Sequence, residues 1–458
     1  MHPSPAPIYI YHDSKPRHLL KKAISNVVAS AVVIIVLVAS VAGTYYATSA
    51  SAGTKSGTVT TTVGGATVTT TLTNQPALGT IKIGFMTSLS GVATDLGNQM
   101  LQGAQFAVDQ VNSKGGVCFA GSCYKIVLDV VDNGDTTDIT VASANKLIQD
   151  QVSAVIGFVY SGGVFATDTT LMAHKIPVIL TSASAVTLLT QVQSNYSTFK
   201  YLFRVVTNDS GLSYTGYQFM GLVNAKSYGY IAEDFLYAHF IGQYLGNFTK
   251  AGGINNLFTD YTPFSATDYS SEILKIDTQK PAVVVGVFSG ANGFAFLKQY
   301  KADPVASHIP VFFAGGPWGS KNTIDSLNSA QPGSADYIAD GTLGWNIPIT
   351  KVTGQFCDAI SKKLSTSCNV GTHGVNYDAV NVLVNAIQAA GTLNPDALVT
   401  ALQQTDYIGA SGRIVFTSAH QALLAPGYVE LPIIEWINGQ VSVVHPQKFA
   451  AKAYVPPP

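Results

Sequence analysis

The amino-acid sequence predicts an α/β protein in which parallel sheets are flanked by helices, preceded by a transmembrane helix and a Ser/Thr-rich stalk. Three observations lead to this prediction. From residue 81 onward, short apolar strand patterns alternate with amphipathic helical patterns, and such alternation is typical of parallel sheets. Residues 23–47 contain no charged side chain. Residues 48–79 are rich in Ser, Thr, Gly and Ala.

The N-terminal segment predicts a cytoplasmic leader over residues 1–22 and a single transmembrane anchor helix over residues 23–47. At about 1.5 Å per residue, a helix of this length crosses a hydrocarbon layer of about 30 Å. The basic cluster from Lys15 to Lys22 keeps the N-terminus inside the cell and places the rest of the chain outside.

Three fates of this segment remain open. Residues 21–25 resemble an archaeal pilin-like signal that is cut after Lys22, so that the apolar helix is kept. An uncut anchor is the second alternative. The third is a signal peptide cut after Ala47 or Ala50, which would release the protein.

Residues 48–79 predict a Ser/Thr-rich linker. The near-repeats TVTTT and TVTTTLT show no helical period and offer little apolar surface to bury, so no regular structure is expected there. Three N-x-S/T sequons further on suit an exported glycoprotein; they begin at Asn195, Asn208 and Asn247.

Net charge and cysteine spacing restrict the class of protein. The net charge is −1, so no global field favours nucleic acid, and no nucleic-acid partner is expected. The cysteines fall into two local pairs, Cys118 with Cys123 and Cys357 with Cys368. Neither pair has the neighbouring His or Cys of a zinc site, so the spacing predicts two extracellular disulfides, with buried free thiols as the alternative.

The sequence carries no signature of catalysis. The patterns of nucleotide-binding loops, zinc proteases and serine hydrolases are absent. The histidines are scattered, and we interpret His174 and His373 as structural. We therefore expect a protein that is not an enzyme and that needs no cofactor and no metal.

The stretch 81–118 carries a resemblance to a known family. A strand over 81–86 is followed by a small-residue loop and a helix that ends at Gly115-Gly116. The pattern from Gly97 through Gly103-Ala104 to Val117 resembles the opening of solute-binding proteins of ABC importers, of the branched-chain amino acid type. The resemblance runs, with gaps, to Pro446. It implies a type I periplasmic binding fold, with two lobes and three hinge crossings that close on a ligand.

The later elements are placed on this fold in order. Strands are predicted over 124–131, 153–158 and 177–180, and helices over 140–151 and 164–173. The alternation then repeats in a second lobe, with strands over 228–232, 282–287 and 311–314. The resemblance implies that residues 80–203 plus 327–408 form lobe 1. It implies that residues 204–326 plus 409–450 form lobe 2.

Ligands of open α/β sheets bind at the carboxyl ends of strands, and the resemblance implies two contacts from lobe 1. Ser161 and Gly162, at the start of a helix, would hold a ligand carboxylate with backbone N–H groups; a simple turn and cap is the alternative. Ser184, through its carbonyl, or the hydroxyl of Ser184 or Ser182, would hold an ammonium. Ala185 departs from the family pattern, which often has Thr there.

Further contacts are implied on lobe 2 and at the rim of the cleft. Tyr237 would meet the ligand from the closing side, and Asp234 is either an acid of the site or a helix cap. Trp318 would stack on the ligand or pack the hinge, while Phe288 and Ser90 are weaker candidates.

One departure from the family concerns charge. Gly316 stands where amino acid binders often carry a Glu that pairs with the ammonium. An unpaired ammonium in a closed cleft costs several kcal/mol. Two alternatives follow: Asp234 or Glu233 supplies the charge, or the ligand has no α-ammonium.

The resemblance implies a receptor that captures an amino acid or similar small amphipathic solute and delivers it to an ABC permease. We expect a monomer on the cell membrane, single-pass, with the binding domain extracellular. The alternatives are a ligand-sensing ectodomain for short amides or carboxylates, and a filament or surface structural subunit, suggested by the pilin-like leader.

Overall fold

The structure is a computed structural model. It describes residues 57–63, 66–72, 79–91, 93–134, 136–288, 291–316, 318, 321–330, 332–341, 343 and 347–458. The predicted leader and the predicted transmembrane helix lie outside the described residues. Of the helices within these ranges, none combines the length and the apolar character that a bilayer crossing requires.

The N-terminal described unit is a β-hairpin. Strands β1 (Gly57–Val63) and β2 (Ala66–Leu72) pair antiparallel, with Gly57 opposite Leu72 and Val63 opposite Ala66. The expectation of an irregular linker was therefore wrong over these residues. Thr and Val, which make up most of the two near-repeats, favour strands.

Lobe 1 is built on a sheet with strand order β4-β5-β3-β6-β7-β8. All neighbouring pairs are parallel except β4 with β5. The strands are β3 (Gly79–Thr87), β4 (Val117–Phe119), β5 (Ser122–Asp132), β6 (Ala154–Gly157), β7 (Val178–Leu180) and β8 (Leu202–Arg204).

The helices of lobe 1 come from two stretches of the chain. The first stretch gives α1 (Thr94–Ser113), α2 (Thr137–Gln149), α3 (Ser161–Ala173), α4 (Val186–Ser194) and α5 (Tyr196–Phe199). The second stretch comes after lobe 2 in the chain, so its helices carry higher numbers. It contains α11 (Lys351–Leu364), a π-helical turn (Val370–Gly374), α12 (Val375–Ala390) and α13 (Pro395–Gln403). The predicted strands over 124–131, 153–158 and 177–180 and the predicted helices over 140–151 and 164–173 are present, with shifts of up to three residues at their ends.

Lobe 2 has the strand order β10-β9-β11-β12-β13-β16-β17. Its strands are β9 (Ser227–Glu233), β10 (Asn255–Thr262), β11 (Val284–Val287), β12 (Val311–Phe313), β13 (Ile338–Gly341), β16 (Ile433–Ile437) and β17 (Gln440–His445). Its helices are α6 (Asp209–Leu222), α7 (Leu236–Ala251), α8 (Ser270–Gln279), α9 (Ala291–Ala302), a 3₁₀ turn (Ala306–His308) and α10 (Lys321–Ala330). A separate hairpin is formed by β14 (Asp406–Ile408) and β15 (Arg413–Val415).

Two of the hinge crossings lie later in the chain than predicted. Strand β13 pairs parallel with β12, so the return to lobe 1 follows residue 341 and does not occur at 327. Phe416 is buried in the core of lobe 1, and Ala422 N–H donates to the Arg204 carbonyl at 2.8 Å. The last crossing therefore falls between this segment and β16, and not at 409.

Both predicted disulfides are present. Cys118 and Cys123 face each other directly across β4 and β5. Cys357 on α11 is bonded to Cys368, just before the π-helical turn. The predicted pairing of neighbours is thus confirmed.

The predicted glycosylation sites differ in accessibility. Asn195 and Asn247 are exposed, whereas Asn208 is half-buried and its Oδ1 accepts from Gly211 N–H as the cap of α6. Its Nδ2 also donates to Gln421 Oε1 at 3.4 Å. Glycosylation of Asn195 and Asn247 stays a prediction, and the engaged amide of Asn208 makes that site the least accessible.

Helix α1 packs closely on the π-helical turn, and Gly103 makes the contact possible. A Cβ atom at Gly103 would lie 2.2 Å from the His373 carbonyl oxygen. We expect Gly103→Ala to push the two elements apart and lower the free energy of unfolding by about 1–3 kcal/mol. Gly354→Ala on α11 is the control, because its Cβ would meet nothing within 4 Å. Equal urea midpoints for the two variants would contradict this contact.

Candidate functional site

A cavity of about 870 Å³ lies between the two lobes. Lobe 1 contributes the start of α3, the loop after β7 and part of α1. Lobe 2 contributes the start of α7 and the loops after β11 and β12. This volume is within the range of small-molecule sites. Of the predicted site residues, Ser161, Gly162, Ser182, Ser184, Tyr237 and Phe288 line it.

The amino end of α3 forms one end of the cavity. Ser161, Gly162 and Gly163 line it, and the side chain of the N-cap residue Tyr160 makes no capping hydrogen bond. Ser161 Oγ accepts from Ala185 N–H at 3.1 Å, so its own hydrogen remains for an acceptor in the cavity. Together with the first-turn N–H groups, this arrangement suits a carboxylate or another anion.

The loop after β7 presents hydroxyl groups to the cavity. Thr181, Ser182 and Ser184 line it. Thr181 Oγ1 is buried without a hydrogen-bond partner among the described residues, which marks it as a further ligand contact that the sequence reasoning missed. Its position directly after a buried strand, β7, was the available signal.

Three backbone carbonyls of this loop already accept hydrogen bonds from the protein. Arg204 Nη1 donates to the carbonyls of Ala183 and Ala185 at 3.3 and 2.9 Å. Asp209 N–H donates to the Ser184 carbonyl at 3.1 Å. The Ser184 carbonyl, which was expected to accept from a ligand ammonium, therefore already has a protein donor. This expectation is corrected because Arg204 and Asp209 lie behind the loop and donate to its carbonyls.

Arg204 and Asp209 form a buried pair of charges at the first hinge crossing. Arg204 is 1% exposed, and its Nε donates to Gln421 Oε1 at 2.7 Å. Burial lowers the pKa of Arg204 to about 10, so it stays cationic at neutral pH. Burial raises the pKa of Asp209 to about 6, against the opposing effects of Arg204 and of the N–H groups of Val186 and Ser210.

Aromatic side chains form the wall of lobe 2. The lining residues share an apolar ring and are Phe235, Tyr237, Phe264, Phe288 and Phe294. The Phe235 ring centroid lies 5.6 Å from those of Tyr237 and Phe264. Tyr237 Oη donates to the Ala314 carbonyl at 3.0 Å, and burial raises the pKa of this phenol. Tyr237 thus presents its ring, and not a free hydroxyl hydrogen, to a ligand.

Three predicted site residues do not line the cavity. Asp234 is exposed, and its Oδ1 lies 2.7 Å from His239 Nε2. Trp318 is fully buried and stacks on Phe313 with ring centroids 3.9 Å apart. Ser90 is exposed and donates to Asp132 Oδ2 at 2.6 Å. Alignment of letters placed these residues near the site, but their neighbours in the fold hold the side chains elsewhere.

The loop after β12 cannot carry the acid that amino acid binders of the family often have there. Gly316 has a φ of +99°, and a Cβ atom would lie 2.2 Å from the Phe288 carbonyl oxygen. Both the backbone conformation and the space therefore require glycine. The conformation of this loop therefore leaves no room for a Glu side chain at position 316.

A buried carboxyl group lies close to this loop. Asp340, at the end of β13, pairs with Phe313 of β12, and neither of its carboxyl oxygens has a hydrogen-bond partner within the described ranges. Burial raises the pKa of Asp340 well above its usual range. The sequence reasoning missed Asp340, because an Asp-Gly pair usually indicates a turn.

A polar cluster lines the rim of the cavity on lobe 1. Gln99 Oε1 accepts from Asn369 Nδ2 at 3.2 Å and from Thr372 Oγ1 at 2.9 Å. Gln99 Nε2 donates to Asp95 Oδ2 at 2.8 Å. Asn369 and Thr372 belong to the π-helical turn and its cap, a kind of structure that often marks functional sites. The part of the chain that the structure describes holds no cluster of acids, His and Cys suited to a metal ion.

The fold and the cleft define a two-lobed binding protein, and comparison with known proteins agrees. A family profile described as periplasmic binding protein matches residues 80–429. The chain therefore belongs to the periplasmic binding protein family. This confirms the predicted resemblance to the solute-binding proteins of ABC importers of the branched-chain amino acid type.

Individual relatives are distant but cover most of the chain. The Leu/Ile/Val-binding protein homolog 7 of Brucella melitensis is 22% identical over 391 residues, 82% of this chain and 94% of the relative. Homolog 8 of Brucella abortus is 24% identical over 392 residues, covering 82% and 92%.

Solved structures show the same fold. The branched-chain amino acid transporter substrate-binding protein LivJ of Streptococcus pneumoniae, in complex with isoleucine, has a TM-score of 0.69 and 22% identity, covering 79% of this chain and 97% of that one. An ABC transporter solute-binding protein of R. palustris, in complex with benzoate, has a TM-score of 0.68 and 19% identity, covering 80% and 96%. At these identities the comparison establishes the fold.

Proposed function

We propose that this protein is the extracellular solute-binding receptor of an ABC importer. It captures an amino acid or similar small amphipathic solute between its lobes and delivers it, without catalysis, to the membrane permease. The observation that carries this proposal is the cavity between the lobes. One of its walls offers a helix amino end with hydroxyl donors, and the other offers aromatic rings. Such a cavity fits a solute with one anionic end and one apolar end.

Closure of the lobes follows from contacts made to both walls. A solute held by the start of α3 touches the ring of Tyr237 only when lobe 2 has closed over it. Because the ligand gains contacts in the closed state alone, binding shifts the hinge equilibrium toward that state. Phe240 of α7 packs against the core of lobe 1, so the lobes also meet beside the cavity. The permease would then recognise the closed shape.

We expect Ser161→Ala to weaken solute binding roughly tenfold to a hundredfold, the loss of one hydrogen bond to a charged group. The first-turn N–H groups of α3 remain, which limits the loss. A metabolite panel screened by thermal shift on the full-length protein identifies a solute, and calorimetry compares the variants. Thr170→Ala, exposed on the same helix, is the control. Wild-type affinity in a folded Ser161→Ala protein would show that the anion does not bind at α3.

We also propose that residues 23–47 hold the receptor, as a monomer, on the outer face of the cell membrane. The support is the length of the uncharged run and the basic cluster before it. Fractionation of the native protein should place it with the membranes. Recovery from the medium, with an N-terminus near Ala50, would instead show a cleaved signal peptide.

A further inference from the structure

We propose that the solute is a carboxylate that bears no α-ammonium group and has a bulky apolar body, such as an aryl or branched alkyl group. This inference rests on the proposed receptor function and narrows its substrate class. It decides between the two alternatives that the missing Glu leaves open. Four sets of contacts in the structure support it.

The loop after β7 offers no carboxylate to an ammonium, and three of its backbone carbonyls already have protein donors. An ammonium donates three hydrogen bonds and needs carbonyl or carboxylate oxygens to offset its desolvation. The carbonyls of Ala183 and Ala185 accept from Arg204, and that of Ser184 accepts from Asp209 N–H. The side chains of this loop that line the cavity are the hydroxyl groups of Thr181, Ser182 and Ser184, which can donate to a carboxylate and carry no negative charge to pair with an ammonium.

The facing loop of lobe 2 offers no acid either. At Gly316, the positive φ and the approach of 2.2 Å to the Phe288 carbonyl exclude any side chain. Gly315 also has a positive φ, +81°, which a side chain rarely adopts, and its Cβ would lie 2.2 Å from Tyr237 Oη. The position at which other members of the family often carry an acidic counter-ion therefore cannot hold an acidic side chain.

The acids nearby do not compensate. Among the described lining residues, Asp95 alone is acidic and none is Lys or Arg. Asp95 is exposed at the rim, where it accepts from Gln99. Asp234 faces solvent, and Asp209, Glu233 and Asp340 are buried and do not line the cavity. An ammonium deep in the closed cleft would therefore remain unpaired.

The apolar wall defines the other end of the solute. Phe235, Phe264, Phe288 and Phe294 line the cavity from lobe 2, whereas the start of α3 lines it from lobe 1. Aromatic walls of this kind favour a flat ring or a branched alkyl group through burial and edge-to-face contacts. The cavity volume of about 870 Å³ accommodates a carboxylate with such a body.

The test uses pairs of probes that differ only in the α-ammonium. Calorimetry of the full-length protein near neutral pH compares 3-phenylpropanoate with L-phenylalanine, and 4-methylpentanoate with L-leucine. In each pair of which a member binds, the acid should bind at least about tenfold more tightly than the amino acid, because the amino acid carries an unpaired charge into the cleft. The corresponding amide, 3-phenylpropanamide or 4-methylpentanamide, should bind about tenfold or more weakly than the acid, because it lacks the anion that the start of α3 binds.

Asp340→Asn tests whether Asp340 is the counter-ion of a bound ammonium. The substitution keeps the size of the side chain and removes its capacity to ionise, so the variant should bind the acids as wild type does. Equal or tighter binding of L-leucine or L-phenylalanine would overturn the inference and leave the receptor function standing. If that binding is then lost in a folded Asp340→Asn protein, Asp340 is the counter-ion.

Failure of all these probes would also overturn the inference. The metabolite panel then decides the wider proposal separately. A stabilising solute of another class would preserve the receptor function, whereas no stabilising solute at all would remove both.

Discussion

Replacing Arg204 with methionine is expected to lower the free energy of unfolding by about 3–5 kcal/mol. Methionine fills part of the volume but donates no hydrogen bonds. The change leaves Gln421 Oε1 and the carbonyls of Ala183 and Ala185 without their donor. It also leaves the buried carboxylate of Asp209 without the positive charge that opposes its desolvation. Urea denaturation of the wild type and the variant measures the loss.

Two further variants show whether the hydrogen bonds or the charge dominate. Arg204→Lys keeps the charge but cannot reach all three acceptors, so it should recover only part of the stability. Arg413→Met is the control, because Arg413 pairs with Asp406 on an exposed hairpin and should unfold close to the wild type. An Arg204→Met protein as stable as the control would show that the buried guanidinium is not needed at the hinge.

The sequence predicted well those features that depend on local periodicity. The strand at 81–86 and the helix after it are found as β3 and α1, because a run of apolar residues and an apolar stripe at helical spacing reflect burial in a sheet and on a helix face. Cys118 and Cys123 could be paired from spacing, since so few residues between them close a short hairpin. These features need only neighbouring residues to be read.

The features that the sequence reasoning missed depend on distant contacts. Asp340 looks like part of a turn, yet pairing with β12 on one side and β16 on the other makes it a strand residue. This is also why the crossing after β13 was placed too early. Thr181 and Arg204 carry no motif, and their roles appear only when the loop after β7 lies against the hinge.

The site predictions were right where they depended on local sequence and wrong where they depended on contacts in the fold. Ser161 and Ser184 lie in the segments that follow the buried strands β6 and β7, so the rule for the carboxyl ends of strands placed them at the cavity. Asp234 and Trp318 also follow strands, but side-chain direction decided their positions. The Asp234 carboxylate turns to His239, and the Trp318 ring turns inward onto Phe313. A sequence pattern does not determine such directions.

His373 holds the π-helical turn against α1 and does so only as a neutral side chain. Its Nδ1 accepts from Asn369 N–H at 3.0 Å, and its Nε2 lies 3.0 Å from Gln102 Oε1, so the neutral form carries its proton on Nε2. Neither of these partners titrates. Burial lowers the pKa of His373 from 6.5 to about 4. Protonation of Nδ1 would remove the acceptor for Asn369, which lines the cavity.

Acidification should therefore remove most of the stability that His373 contributes. The unfolded chain binds the proton below about pH 6.5, whereas the folded protein resists it until about pH 4, so this contribution is complete above pH 6.5 and is lost as the pH falls. The difference in free energy of unfolding between wild type and His373→Asn should narrow by about 3 kcal/mol between pH 7.5 and pH 4. Subtracting the free energy of unfolding of the variant from that of the wild type cancels the contributions of the other titrating groups. The difference should stay constant from about pH 7.5 to 8.5. Urea denaturation across this range measures it. A difference that stays constant down to about pH 4 would mean that His373 is charged in the folded protein.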